Sequence, residues 1–96
     1  MTQIQRIKYM ERQLNQLLAA LHAMNKALST LAKARNAAQA LSDYYGSAEW
    51  RSDFADDEAG RLPENLKRGV LSEDGIWNTL AHYREMLQRM AELSKE

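Results

Sequence analysis

The chain has 96 residues, equal numbers of basic and acidic side chains, and no cysteine. A chain of this length forms one small domain that buries only about two thirds of its unfolded surface, so partners add to its stability. The lack of cysteine excludes disulfides and thiolate metal sites, and it fits a cytoplasmic protein. The longest apolar run, residues 17–21, is too short to cross a bilayer, and the N-terminus lacks the apolar core of a signal peptide.

The neutral total hides opposite charges in two parts of the sequence. Residues 1–42 carry six Lys or Arg and one acid, whereas residues 43–74 carry nine acids and four bases. One interpretation is that these parts attract one another within the fold or across a dimer. The alternative is that one of them faces a charged partner.

Residues 2–45 are predicted to form one long helix, because they contain neither glycine nor proline. Thr2 and Gln5 have the spacing of a capping box, and Gly46 is the residue expected to end the helix. Apolar side chains recur with the a/d spacing of a coiled coil over four heptads. This apolar stripe consists of Ile7, Met10, Leu14, Leu17, Leu21, Met24, Leu28 and Leu31.

Residues 46–71, called the corner below, are predicted to turn the chain around. Ser47 is expected to cap a short helix, and Gly60 is expected to end it. Pro63 is expected to begin a second helical piece, PENLKR, which ends at Gly69. Aromatic side chains cluster at this end of the molecule, and we expect them to form a small core there; a pocket is the alternative. The predicted core consists of Tyr44, Tyr45, Trp50, Phe54, Leu66 and Trp77.

The last helix is predicted over residues 72–96, with Ser72 as its N-cap and with Glu73 and Asp74 near its positive end. Gly75 in its first turn is expected to loosen that turn by about 1 kcal/mol relative to alanine. If this helix folds back antiparallel to the first, small side chains face large ones, for example Ala40 opposite Trp77.

The return helix has about half the length of the first helix and cannot cover its N-terminal half. A soluble monomer seldom leaves such an apolar stripe in water, so a second copy is the simplest cover. The sequence therefore predicts an all-α helical hairpin, one domain over residues 1–96, that is assembled as a homodimer. The predicted dimer interface is Ile7, Met10, Leu14, Leu17 and Leu21.

Catalytic, metal and cofactor sites are not predicted. Asp53, Asp56 and Asp57, called the acidic ridge below, share a helix face, but they lack the ligand spacing of an EF-hand loop. A solvated ridge is therefore favoured over a bound cation. His22 has no carboxylate at helical spacing, and the acid near His82 is Glu85, three residues later. The sequence contains no phosphate loop or nucleophile turn, so catalysis is not predicted.

The corner resembles the signature of an uncharacterised bacterial family that is known as a domain of unknown function. The residues that carry the resemblance are DYYGSAEWRSDF and DEAGRLPENLKRGVLSEDGIW, over residues 43–77. The resemblance implies a small helical protein with a coiled-coil N-terminal half, in which these segments form one structural unit. It implies no activity.

The leading functional prediction is a non-enzymatic protein interaction module that acts through oligomerisation and a docking surface at the corner. The predicted docking residues are Asp53, Asp56, Asp57, Lys67 and Arg68. One alternative is a small phage-type inhibitor, similar to an anti-CRISPR or other anti-defence protein, whose acidic ridge occupies a basic groove. Another is nucleic-acid binding through Arg6, Lys8 and Arg12, although a neutral chain is unusual for that role.

Overall fold

A computed structural model describes residues 1–72 and 74–95. It contains α1 (Gln3–Tyr44), α2 (Ala48–Glu58), a 3₁₀ turn (Gly69–Leu71) and α3 (Gly75–Ser94). No strand occurs among the described residues, and the predicted all-α class is confirmed. The chain forms two compact units, Met1–Arg35 and Asn36–Glu96. Within the described part, none of the helices combines the length and the apolar character that crossing a membrane requires.

The first unit consists of the N-terminal part of α1, and its start is the predicted capping box. The Thr2 backbone N–H donates to Gln5 Oε1 at 2.9 Å, and the Gln5 N–H donates to Thr2 Oγ1 at 3.2 Å. Each side chain thus satisfies a backbone donor that the first helical turn leaves free. This prediction is confirmed.

The helix ends at the corner also follow the sequence. Gly46 and Gly60 have φ of +79° and +71°, a conformation that a residue without Cβ adopts at little cost. They lie just beyond the ends of α1 and α2. Ser47 Oγ accepts a hydrogen bond from the Trp50 N–H at 3.1 Å, which caps α2.

The predicted helix over PENLKR is wrong. Residues 61–68 form a loop with one turn, in which the Leu66 N–H donates to the Pro63 carbonyl at 3.2 Å, and helical structure resumes only at Gly69. The Arg68 guanidinium donates to the carbonyls of Glu64 and Leu66 at 3.1 and 3.3 Å. Because a side chain satisfies these carbonyls, the segment does not need a helical ladder.

The α3 helix begins at Gly75, three residues later than predicted. Ser72 Oγ donates to the Gly69 carbonyl at 2.9 Å and accepts from the Gly75 N–H at 3.1 Å. The predicted N-cap at Ser72 is wrong by two positions, because Asp74 is the residue that directly precedes the helix. A Cβ on Gly75 would lie 2.6 Å from the Gly69 oxygen and would collide with Ser72 Oγ. The expectation that alanine is better at this position is therefore wrong. Glu73 lies outside the described residues.

The core of the second unit is small and lies where the 3₁₀ turn meets α3. Among the described residues, the buried ones are Leu71, Ile76 and Leu80. Leu41, near the end of α1, lines the same cavity as Ile76 and Thr79, so the two helices approach each other there. Trp77 is 59% exposed, so the predicted pairing of Ala40 with Trp77 is wrong and Ile76 points inward instead.

Candidate functional site

The aromatic side chains at the corner form a short stack on α2. Trp50 and Phe54 lie one helical turn apart with ring centroids 5.2 Å apart and an interplanar angle of 22°. Tyr45 meets the Trp50 ring edge-on at the same distance. The Trp50 indole N–H donates to the Val70 carbonyl at 2.9 Å, which ties the 3₁₀ turn to α2. The half-buried Tyr44, Tyr45, Trp50 and Phe54 therefore belong to the corner's packing.

The prediction of a corner core is wrong for Leu66 and Trp77. Leu66 is 49% exposed, because it lies in the loop that replaces the predicted second short helix. Trp77 is exposed because its neighbour in sequence, Ile76, occupies the inward face of the first turn of α3. On a helix, adjacent residues point about 100° apart and do not share a face.

Each carboxylate of the acidic ridge is bound to another part of the same chain. Asp53 Oδ2 accepts a hydrogen bond from the Tyr44 hydroxyl at 2.6 Å. Asp56 and Asp57 form ion pairs at 3.0 and 2.8 Å, whose partners are Arg61 and Arg68, respectively. The ridge thus connects α2 to the end of α1 before it and to the loop after it.

Of the two ion pairs, the one that includes Arg68 is the better sheltered. The side chains of Arg68 and Asp57 are 34% and 23% exposed, against 65% and 41% for Arg61 and Asp56. The same guanidinium also bonds two loop carbonyls. A planar fork of donors suits this arrangement, whereas the single ammonium of lysine does not. Asp57 and Arg68 are therefore bound to each other within the chain, whereas Lys67 beside them is exposed.

The Tyr44–Asp53 bond changes the acid chemistry of the phenol. The hydrogen bond to Asp53 favours the protonated hydroxyl, and burial and the negative charges of Asp53 and Glu49 act in the same direction. Together they raise the pKa of Tyr44 from 10.0 to about 12. At neutral pH this group is a hydrogen-bond donor, and it holds the acidic ridge to α1.

A cavity of about 560 Å³ lies beside the core of the second unit. Its walls are mainly apolar, with Lys67 as the charged side chain in the lining. The sequence did not reveal this cavity, because its residues come from α1, the loop, the 3₁₀ turn and α3. The lining consists of Leu41, Lys67, Gly69, Val70, Ser72, Gly75, Ile76 and Thr79.

The stripe along α1 is exposed. From Ile7 to Leu28, its seven residues each show between 50% and 62% of their surface to solvent. Ile4 and Leu18 lie on the same side of the helix and are 65% and 55% exposed. The predicted interface residues are therefore accessible on a continuous apolar face, as a contact with another molecule requires.

Within the described residues, no three His, Cys, Asp or Glu side chains come together in a way that would hold a metal ion. The ridge carboxylates point to separate partners instead.

Fold and surfaces together define a class: a small all-α protein with a long exposed helix and a hydrogen-bonded corner. The model of the family described as a domain of unknown function, DUF4298, matches residues 7–93, and the chain belongs to this family. The searches of the curated proteins and of the solved structures found no match.

Proposed function

We propose that this protein is a non-enzymatic helical interaction module that self-associates through the apolar stripe of α1. The observation that supports this proposal is that every stripe residue from Ile7 to Leu28 exposes at least half of its surface to solvent. An a/d pattern over four heptads is the sequence requirement for knobs-into-holes packing between helices. A second helix on this face would remove the apolar side chains from water, which is the main favourable term in association.

Sedimentation equilibrium tests this proposal. The parent chain is expected to give a multiple of 11.0 kDa at micromolar concentration. Leu14→Asp with Leu21→Asp places two charges in the stripe, and this variant is expected to sediment as a monomer. The matched control, Asn15→Asp with Ala19→Asp, adds the same charge on outward positions and is expected to associate like the parent. A parent chain that is monomeric at high micromolar concentration would contradict the proposal.

The corner is the second part of the proposal, as a docking surface for another protein. The cavity beside Lys67 and the exposed Leu66 and Val70 support this role. The acidic ridge is less suited to it, because its carboxylates already have partners in the fold. Lys67→Glu is expected to reduce partner capture without changing the melting temperature. If Asp56→Asn reduces capture and Lys67→Glu does not, the ridge is the docking site instead.

The two alternative functions predict different results. An inhibitor that occupies a basic groove needs the negative charge of the acidic ridge, so Asp56→Asn would reduce its effect while the fold remains intact. Nucleic-acid binding would weaken steeply with salt and would depend on Arg6, Lys8 and Arg12. The exposed bases Lys8 and Arg12 lie on outward helix positions and stay accessible if the stripe is covered.

We infer that the segments DYYGS, EW and LKRGVLSED are a family signature because they build the corner. Gly46 supplies the left-handed turn, and Ser47 caps α2. Trp50 bonds the Val70 carbonyl, and Ser72 bonds both ends of the turn into α3. A comparison of family members tests this inference: the caps and bonding residues should vary less than the exposed Leu66.

A further inference from the structure

We propose that the stripe of α1 binds a second copy of the chain antiparallel, with the two-fold axis close to Ala19. This inference rests on the self-association proposed above and adds the orientation and the register. In an antiparallel coiled coil, a positions of one helix face d positions of the other. With Ile7 at position a, the stripe alternates a and d as far as Leu31.

The register follows from the length of the stripe. Centring the pair on Ala19 places Ile7 opposite Leu31 of the second copy, and Leu17 opposite Leu21 of the second copy. In the same way Met10 faces Leu28, and Leu14 faces Met24. All eight apolar residues then have an apolar partner. A shift of one heptad towards the N-terminus would leave Leu31 without a partner and place Gln3 opposite Leu28.

Arg35 separates the antiparallel from the parallel arrangement. It takes the next a position after Leu28 and is exposed. In a parallel, in-register pair, Arg35 would face its own copy, and two like charges would meet at a core position. In the antiparallel register, Arg35 lies opposite the exposed amide Gln3 of the second copy, so a cation faces a hydrogen-bond acceptor.

The flanking e positions agree with the same orientation. Antiparallel pairing brings e residues beside e residues, so Leu18 meets Leu18 of the second copy and Glu11 meets Asn25. Parallel pairing brings g beside e, which sets the apolar Leu18 against Gln13. It would also allow Arg6 to pair with Glu11, but an exposed ion pair contributes little to stability. An in-register parallel pair would match the eight stripe residues equally well, so the contacts of Leu18 and Arg35 are what favour the antiparallel pair.

Disulfide trapping tests the orientation, since the chain has no cysteine of its own. Met10→Cys and Leu28→Cys chains are equilibrated in a glutathione redox buffer, separately and mixed. Because Met10 faces Leu28 of the second copy, most of the cross-linked product of the mixture is expected to be the heterodisulfide, which mass spectrometry identifies. Each variant alone is expected to give little cross-linked dimer. Homodisulfides in the separate samples, or the statistical half of heterodisulfide in the mixture, would overturn the antiparallel register.

A spin label at Lys8→Cys gives a second measurement that leaves the seam untouched. In the antiparallel register, two labels are separated by about 33 Å along the axis at 1.5 Å per residue. In a parallel pair they lie side by side, and a short distance between the labels would contradict the inference. A monomeric parent chain in sedimentation would refute the self-association itself, whereas a dimer with the parallel distances would refute only the orientation.

Discussion

Gly75 lies at the start of α3, at a point where the backbone leaves no room for a side chain. Its hydrogen-bonding neighbour Ser72 is held by two bonds and cannot rotate away without losing both. Although alanine has the higher helix propensity by about 1 kcal/mol, the contact with the Gly69 carbonyl involves backbone and does not relax easily. Close approach therefore outweighs propensity at this residue.

Gly75→Ala is expected to lower the free energy of unfolding by about 1–3 kcal/mol, the usual cost of overpacking. Chemical denaturation followed by circular dichroism measures it. Gly69→Ala is the matched control, because nothing lies within 4 Å of a Cβ at that position. The control is expected to change stability by less than about 1 kcal/mol in either direction. Equal stability of the two variants would show that the turn into α3 has room for a side chain at position 75.

The raised pKa of Tyr44 predicts a loss of stability at high pH. Because the folded state holds the phenolic proton more tightly than the unfolded chain, the contribution of Tyr44 is complete below pH 10. It is lost as the pH rises from 10 through about 12. Ultraviolet titration of tyrosinate is expected to show one late component in the parent that is absent in Tyr44→Phe. With Asp53→Asn, which keeps the phenol, that component should move to lower pH; an unchanged titration would contradict the bond.

At the scale of elements, side-chain hydrogen bonds and ion pairs connect α2 to the chain segments before and after it. Arg68 is the most connected of these side chains, with one bond to Asp57 and two to loop carbonyls. Arg68→Lys keeps the charge but not the fork of donors, and it is expected to cost about 1 kcal/mol. Thermal unfolding of this variant beside Lys67→Gln, whose side chain is exposed, measures the difference. Equal melting temperatures of the two variants would show that the bonds of Arg68 contribute nothing to stability.

The two tryptophans are expected to behave differently, since they lie in different elements. Trp50 is half-buried and bonded to Val70, whereas Trp77 is 59% exposed on α3. The variant Trp77→Phe keeps Trp50 as its single tryptophan. The emission of Trp50 is expected at a shorter wavelength than that of Trp77, and acrylamide is expected to quench it less. Trp50→Phe leaves Trp77 and is also expected to cost about 1 kcal/mol for the lost hydrogen bond. Equal quenching of both would contradict the packing, or it would show that Trp77 is covered in an assembly.

At the scale of the whole molecule, the unit Met1–Arg35 consists of helix alone, and a helix without tertiary contacts is only marginally stable in water. If the stripe supplies its contacts through self-association, dilution should reduce the circular dichroism at 222 nm. The near-ultraviolet signal of the corner aromatics should persist, because their packing lies within one chain. Helicity that is independent of concentration, in a chain that sediments as a monomer, would contradict this prediction.

Local signals in the sequence determined the helices and most of their ends. The capping box at Thr2, the glycines at 46 and 60 and the Ser47 cap depend on residues within a few positions of each other. Such bonds form within one turn, so their residue types predict them directly. The a/d rhythm of α1 likewise showed which face carries the apolar stripe.

Only the tertiary structure shows which partners the charged side chains of the corner have and why position 75 has no room for a side chain. The pairing of Asp57 with Arg68 joins α2 to the loop, and the close contact at Gly75 joins α3 to the 3₁₀ turn, so each depends on groups from different elements. No spacing rule connects positions eleven residues apart across a turn, so the acidic ridge looked solvated although its carboxylates are bound. The exposure of Trp77 has the same origin, because α3 begins at Gly75 and its first turn directs Ile76 into the core.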